Sequence, residues 1–383
     1  MRVIIVGAGI GGLGLAAGLS AGGHSVDVLE RAPQLSSAGG AVTIFPNGAR
    51  AASLLGVPMP EAEGQLDSLR FLSAGGRRLM TIDVRRLARL FGEGVTSVAR
   101  AELVRRLAAP LPLGMVRFDA EIRAVQRSPT EPGVLLADGS RYSGDILVGA
   151  DGINSVVRRH LHGDQPAAPS GWGTYQGLTN ALPSFGSGTE AQFLLGPHGF
   201  AGLVPTTGGA VHWWFDVPLA GFGHPRPEPR VWLRERFADY AAPVPALLAS
   251  IDPSEVGFFA HAAHPLRGTW GQGGTTLLGD AAHAFPPSQA QGANQALEDA
   301  ATLTATIDRL DGSRDSALVG LRLREWEAAR SRRIRRLAAL ATSEITNRPP
   351  SPVARMLAPL VPRAIVTRIY AAFLRSSSST LRG

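Results

Sequence analysis

The chain of 383 residues contains no cysteine and no lysine. Without cysteine there is no disulfide framework, no thiolate metal site and no cysteine nucleophile. That absence fits a reducing cytoplasm, where the protein is expected to reside. Without lysine, side-chain Schiff bases and the phosphate-gripping lysine of a P-loop are excluded. Every basic side chain apart from histidine is therefore arginine, and the net charge is +7. Charged residues make up 18% and hydrophobic residues 44%, ordinary proportions for a globular protein with a sizeable core. A basic balance can attract nucleic acid, an anionic membrane or a phosphorylated cofactor. Nucleic acid is the weakest of these readings. The arginine-rich stretch RLREWEAARSRRIRRLAAL has one aromatic residue, without the interleaved stacking side chains that single strands prefer. Beyond the N-terminal stretch no apolar run approaches the length of a bilayer span, so no integral membrane segment is expected. A monomer or homodimer is anticipated.

The opening MRVIIVGAGIGGLGLAAGL is uncharged from Val3 onward and by composition could pass for a signal peptide. Its glycines offer a competing reading. Arg2–Val6 is a short β-branched run, Gly11–Ala21 a small apolar helix, and Ser25–Leu29 a second strand that ends in Glu30. Gly7, Gly9 and Gly12 stand at GxGxxG spacing between the first strand and the helix. The first allows a tight turn, the second admits a pyrophosphate, and the third lets helix approach strand. Spacing alone is weak in a chain with 46 glycines. The test is an acidic residue about 20 positions on to hold a ribose hydroxyl. Glu30 passes it, and dinucleotide binding displaces the signal-peptide reading.

Further along, DSLRFLSAGGRRLMTI reads as two strands around Ala74–Gly75–Gly76. A helix is expected over Ala99–Ala109, then strands near Val116–Val125, Gly133–Ala137 and Gly144–Val148. From about 170 to 265 the chain becomes rich in Gly, Pro, Trp and Phe, with short strands such as FAGLVP and AVHWWFDV. That suggests an antiparallel sheet inserted into an α/β domain. The expected division is a discontinuous dinucleotide-binding domain (1–66, 99–168 and 268–345), a β-sheet substrate domain (67–98 and 169–267) and a helical segment (346–383). The serine run near the end reads as low complexity.

Arg100 stands at the start of a predicted helix, where the macrodipole disfavours a cation. A nearby anionic group is the functional explanation, and a solvated surface arginine the ordinary one. GADGINSVVR follows a strand with a turn at Asp151–Gly152, and Ser155 and Arg158 begin a possible helix. LLGDAAHAFPPSQAQGANQALEDA places Asp280 after a strand, two prolines in the loop, and Gly292 at a helix start. A carboxylate there can accept from a ribityl hydroxyl. The helix N-terminus offers free amides to the edge of a flavin that becomes anionic on reduction.

Taken with AGGAVTIFPNGARAASLLG and WEAARSRR, these motifs make the chain resemble the FAD-dependent aromatic hydroxylases of the p-hydroxybenzoate hydroxylase fold, the group A flavoprotein monooxygenases. The resemblance covers essentially 1–345 and implies an α/β, Rossmann-like FAD-binding domain with an inserted β-sheet substrate domain and C-terminal helices. It implies that Gly7, Gly9, Gly12, Glu30 and Arg31 hold the ADP half of FAD. Thr43 and Arg100 would contact the middle of the cofactor, and Ile122 the adenine side through its backbone. Asp280 would hold the ribityl chain, and Gly292, Ala293 and Asn294 would meet the flavin ring. Asp151 is associated in the family with FAD and NAD(P)H. The family's first loop glycine is replaced here by Ala290, which costs about 1 kcal/mol if the position needs a positive φ. His283 belongs to the motif and is read as structural.

On the substrate side the pocket candidates are Tyr175, Gln176, His198, Phe200, His212, Trp213, Trp214 and Pro287. Strand alternation puts His212 and Trp214 on one face, taken as the pocket side, and Trp213 on the other. Any one of these aromatics is more often sheet core than pocket. The stretch DVPL resembles the urate hydroxylase branch, which holds its purine with an Arg and a Tyr. Phe200 and His212 occupy those positions, so the resemblance points away from urate toward an apolar or aromatic substrate. His261 and His264 are read as loop residues, with no metal pattern. The reaction implied is NADH- or NADPH-driven reduction of FAD, addition of O2 to give a C4a-hydroperoxide, and oxygen transfer that hydroxylates or epoxidises the substrate. Two alternatives stay open: a flavin-dependent reductase or oxidase on the same scaffold, and a non-hydroxylating FAD protein that shelters a metabolite.

Overall fold

The computed structural model describes residues 1–36, 39–60, 63–126, 128, 130–220, 228–349 and 351–381. β1 (Arg2–Val6), α1 (Ile10–Ala21) and β2 (Ser25–Leu29) form the first βαβ unit. β3 (Ala41–Ile44) leads into α2 (Pro46–Leu54), whose Pro46 suits a helix start because its missing N–H has no helical partner there. β4 (Ser68–Ser73) and β5 (Arg78–Asp83) make the hairpin around Gly76. An unanticipated helix follows, α3 (Val84–Phe91), capped by the Asp83 carboxylate on the Arg86 amide and ended by left-handed Gly92. Next come β6 (Thr96–Ala99), α4 (Arg100–Ala108), β7 (Val116–Arg117), β8 (Ile122–Gln126), β9 (Gly133–Leu136), β10 (Arg141–Ser143), β11 (Ile146–Gly149) and α5 (Val156–His162). The single run anticipated near Val116–Val125 is thus two strands, and they belong to different sheets.

The second half begins with β12 (Ala168–Thr179), the single turn α6 (Pro183–Gly186), β13 (Glu190–Gly196), β14 (Gly199–Pro205) and β15 (Val211–Pro218). Two helices stand where only strands and loops were anticipated, α7 (Pro229–Phe237) and α8 (Val244–Ser250), and β16 (Gly257–Ala263) follows. The chain closes with β17 (Thr275–Leu277), α9 (Asp280–His283), α10 (Gly292–Asp308), α11 (Ser316–Thr342), α12 (Pro352–Leu357) and α13 (Arg363–Ser377).

Five strands form a wholly parallel sheet in the order β17-β11-β1-β2-β7. Its central strand buries Val3, Ile4 and Ile5 completely, as a sheet covered on both faces requires. α1 carries Gly11, Gly14 and Gly18 toward Ala296, Ala300 and Thr304 of α10, so the two helices lie nearly backbone to backbone. A second sheet runs β16-β12-β15-β14-β13-β4-β5. It is mixed rather than wholly antiparallel, because β13 pairs parallel with β4. One of its faces packs on α7 and α8 through Trp213, Phe215, Leu233 and Phe237. The other is covered by α13, through Val366, Tyr370 and Phe373.

Candidate active site

The chain turns out of β1 at Gly7, whose φ of 107° is open to glycine without strain. A Cβ on Gly12 would lie 2.0 Å from the Gly7 carbonyl oxygen, so this glycine is what lets α1 start against the turn. Gly9 differs, since a Cβ there would meet nothing within 4 Å. Its bareness relieves no internal clash and leaves open ground above the helix start. α1 has no side-chain cap, so its first amides lack intrahelical partners. Open ground beside an uncapped helix start fits a pyrophosphate. Glu30 accepts the amides of Ala8 at 2.8 Å and Ala32 at 2.9 Å. That fixes its carboxylate and leaves lone pairs for ribose hydroxyls. Arg31 is exposed beside it. Ile122 opens β8, two residues after Ala120, whose amide donates to the Glu30 carbonyl at 2.9 Å. Arg100 heads α4, donates its own amide to the Gly40 carbonyl at 3.0 Å and lies over Gly39.

Asp151 accepts from Ser155 Oγ at 2.5 Å and the Val156 amide at 2.6 Å, so its side chain caps α5. Burial holds that carboxyl above its ordinary range in spite of those bonds. Arg158, on the same helix, donates one guanidinium nitrogen to the carbonyls of Ala281 and Ala282, both at 3.1 Å. One motif thereby holds the backbone of the other. Asp280 itself is exposed at the start of α9, where Gly279 turns with φ 58°. α10 begins without a side-chain cap at Gln291, which leaves the amides of Gly292, Ala293 and Asn294 without helical partners. The Asn294 side chain is otherwise engaged. It accepts the Phe45 amide at 2.8 Å and donates to the carbonyls of Thr43 and Ala290, at 3.0 and 2.9 Å. It ties β3 to the helix start rather than facing outward, and only its amide is left for a flavin edge.

Ala290 does adopt the left-handed conformation, with φ 50° and ψ 32°. The loop therefore turns through the left-handed region at this position, at a strain cost in the alanine. Ala290→Gly is expected to stabilise the protein by about 0.5–1 kcal/mol, read as a higher denaturant midpoint. A lower midpoint would show that no strain is stored there.

Behind the loop lies a buried charge cluster. His283 Nε2 pairs with Asp299 Oδ2 at 2.6 Å, and Arg330 reaches Asp299 at 2.7 Å and Glu298 at 3.0 Å. Burial alone would push the Asp299 carboxyl up, but Arg330 and His283 outweigh it and hold it below the ordinary range. The serine run taken for low complexity completes the cluster. The Ser379 amide donates to Glu298 at 2.5 Å, Arg330 donates to Ser379 Oγ at 2.8 Å, and Thr380 Oγ1 donates to the Asn47 carbonyl at 3.0 Å.

The roof of the site is the α13-facing side of the mixed sheet. The pairing sets Gln176 opposite Trp214 and Tyr175 opposite Phe215, so adjacent candidates face opposite ways. Trp214 stacks among Phe193, Phe200 and His212. Gly202 gives the indole its space, since a Cβ there would come within 2.3 Å of the ring. His212 and Gln176 lie over Gly40, on the approach to Thr43 and so to the α10 start. Tyr175 is not a roof residue. It packs with Trp232 and Phe258 in the core on the other side, together with Trp213. His198 lies between β13 and β14, and its carbonyl accepts from Arg236 at 3.3 Å. Pro287 is exposed on the turn before Ala290. Tyr370, which the sequence did not flag, packs 5.9 Å from Phe45 within the roof cluster.

His261 is not a loop residue, whereas His264 lies in the loop after β16, as anticipated. His261 lies on β16, fully buried, with Nδ1 2.8 Å from Glu344 and Nε2 2.6 Å from Thr174 Oγ1. Thr174 in turn bonds Asp216, whose carboxyl burial pushes up to about 6. His264 is bonded at 2.7 Å to the Ile153 carbonyl. Among the described residues no group of three His, Asp or Glu is arranged to hold a metal.

Burial lowers His212 to about 4, so its imidazole is neutral near pH 7. Its Nε2 lies 3.3 Å from Gln176 Oε1. An acceptor there places the proton on Nε2 and leaves the lone pair on Nδ1. The unfolded chain protonates this histidine near 6.5 but the folded one only near 4, so stability falls as pH drops through that window, by about 3 kcal/mol. Asp216 acts in the opposite sense, since its folded carboxyl takes up a proton before the unfolded one does. In His212→Gln the Asp216 contribution should remain, so acidification from pH 6.5 toward 4 should cost less stability than in the unaltered protein. Urea unfolding across that range measures it, and an unchanged slope would show that His212 titrates normally.

A parallel dinucleotide sheet with two uncapped helix starts, roofed by an aromatic sheet face, defines an FAD-binding oxidoreductase. Residues 1–339 match the family model described as FAD binding domain. The chain is 31% identical over 347 residues to the FAD-dependent urate hydroxylase of Klebsiella pneumoniae subsp. pneumoniae, covering 89% of this chain and 88% of that one. It is 33% identical over 360 residues to the 3-amino-4-hydroxybenzoate 2-monooxygenase PtmB3 of Streptomyces platensis, with coverage of 87% and 85%. The crystal structure of Klebsiella pneumoniae HpxO complexed with FAD and uric acid is similar with a TM-score of 0.87 at 28% identity, over 98% of this chain and 97% of that one. The chain belongs to the FAD-dependent aromatic hydroxylases, the group A flavoprotein monooxygenases. It is an FAD-dependent monooxygenase.

Proposed function

We propose that the protein hydroxylates an electron-rich, uncharged aromatic compound, with NADH or NADPH as reductant and O2 as oxidant. The observation that carries this is the roof face. Phe193, Phe200, Trp214 and Tyr370 gather there around one neutral hydrogen-bonding pair, His212 and Gln176. Such a surface suits a flat apolar ring with one polar substituent. FAD, when bound, supplies the oxygen-activating chemistry. The protein's part is to hold it and to exclude water. Gly7, Gly9, Gly12 and Glu30 would hold its ADP half, Asp280 the ribityl chain, and the amides of Gly292 to Asn294 the ring edge.

Nδ1 of His212 would accept a phenolic O–H or indolic N–H, orienting the ring without carrying charge. Phe200 and His212 offer no cation at the α13-facing side, so we infer that urate is not the substrate. The left-handed turn at Ala290 supports a hydroxylase over a protein that merely shelters a metabolite. We also propose that 1–66, 99–168 and 268–345 form the cofactor part, and that 67–98 and 169–267 form the substrate part.

The test is to follow NADH and NADPH consumption in air by the flavin-loaded protein against phenols, indoles and polycyclic aromatics. A compound that accelerates consumption and gains a single atom from labelled O2 is the expected result. Consumption that never responds to any compound, or that yields only peroxide, would overturn the reading in favour of an oxidase or reductase.

A further inference from the structure

The net charge is distributed very unevenly. Residues 1–344 hold 32 arginines against all 31 acidic residues, whereas from Ile345 onward the chain has Arg348, Arg355, Arg363, Arg368, Arg375 and Arg382 and no acidic residue. Six of the seven net positive charges therefore sit in this last segment. The same segment carries unusual apolar exposure. Val353, Met356, Leu357 and Leu360 follow helical spacing along α12 and the turn after it, and Leu360 is 74% exposed. After a bend of 107° the stripe continues on α13 through Ile365 and Ile369, the latter 65% exposed.

α13 docks on the body by its opposite side, with Thr367, Ala371 and Leu374 buried. Its outward stripe runs from Ile365 and Ile369 to Ser376, since positions three, four and seven apart share a helix face. Ser376 lines a groove of about 340 Å³ with Arg332, Arg333 and Arg336 of α11. Arg368 is exposed beside the stripe. An apolar helical elbow thus leads into a cluster of arginines on one side of the molecule.

We infer that this elbow is an interfacial membrane-binding surface for an anionic bilayer. Exposed apolar side chains on a helix already docked on protein are placed to enter the headgroup boundary, and the arginines to meet lipid phosphates. Among the described residues no single helix is long and apolar enough to cross a membrane, so the elbow lies on the surface and does not span it. Self-association through the same face would set its arginines against their own copies with no carboxylate in the segment to pair them. Anionic lipid supplies that missing charge. The inference stands on this surface and is independent of which aromatic compound is oxidised.

The test is flotation of the full-length, flavin-loaded protein with vesicles of phosphatidylcholine alone and of mixed phosphatidylglycerol and phosphatidylcholine. The protein should float with the anionic vesicles, remain behind with the neutral ones, and be released as salt is raised. Arg336→Gln with Arg368→Gln should weaken partition about 30-fold. Leu360→Ser with Ile369→Ser should also weaken it, with flavin content and melting temperature kept in both variants. Failure to float with either vesicle overturns the inference. So does a dimer, seen by light scattering, that the Leu360→Ser/Ile369→Ser variant converts to monomer while vesicle binding is absent, because the face would then belong to a second copy.

Discussion

Gly12→Ala should cost the protein stability as well as its flavin, whereas Gly9→Ala should cost it the flavin alone. The two positions belong to one glycine motif but meet different things. A Cβ on Gly12 falls 2.0 Å from the Gly7 oxygen and 3.3 Å from the Ala150 Cβ, both on the frame of the parallel sheet. Backbone cannot yield as a side-chain tip can, so α1 has to move off the turn, at about 3 kcal/mol, the upper end for overpacking. Gly9 has φ −80° and ψ −175°, which alanine adopts freely, and its Cβ would enter empty space. That space is where a pyrophosphate would approach the helix start. Thermal unfolding of the flavin-stripped variants separates the two effects, and titration with FAD completes the comparison. If Gly9→Ala binds FAD as tightly as the unaltered chain, the helix start does not face the cofactor.

Arg330→Met should destabilise the protein by about 3–5 kcal/mol. The guanidinium is the one cation bonded to both Glu298 and Asp299 among the described residues, and all three side chains are buried. Removing it leaves Glu298 with no cation and Asp299 with His283 alone in a poorly solvated interior. Arg330→Lys should recover only part of the loss, because one ammonium cannot reproduce a fork that also bonds the Gln295 carbonyl at 3.2 Å and Ser379 at 2.8 Å. By comparison Ser379→Ala removes one hydrogen bond, worth about 1 kcal/mol. Denaturant unfolding of the flavin-loaded forms ranks the three. An Arg330→Met variant as stable as the parent would mean that one carboxylate is already protonated.

The cofactor side was legible because its signals are local. Gly7, Gly9, Gly12 and Glu30 lie within one βαβ unit, and the turn and strand ends follow from the chain itself. The roof was legible only in part. Period two separated Trp213 from His212 and Trp214, but nothing in the sequence said which of Tyr175 and Gln176 shares their side. That depends on the register of β12 with β15, and β12 shifts register against β16 between Pro169 and Gly173. The parallel pairing of β13 with β4 joins residues more than a hundred positions apart and leaves no periodic trace. His261 read as a loop residue because its partners, Thr174 and Glu344, are distant in sequence. The serines near the end looked featureless for a similar reason. A polar run acquires meaning when a buried Glu298 needs a donor, and that need is visible only in three dimensions.

Phe45 has a consequence for anyone reshaping the pocket. Its amide is held by Asn294 at the α10 start, while its ring meets Tyr370 of α13. One residue is thus a shared joint between the start of α10, where we propose the flavin edge is held, and the helix that covers the roof. A mutation on either side shifts the same pivot, so changes intended to alter substrate preference and changes intended to alter cofactor grip will not be separable here. Redesign has to treat Asn294, Phe45 and Tyr370 as a single mechanical unit.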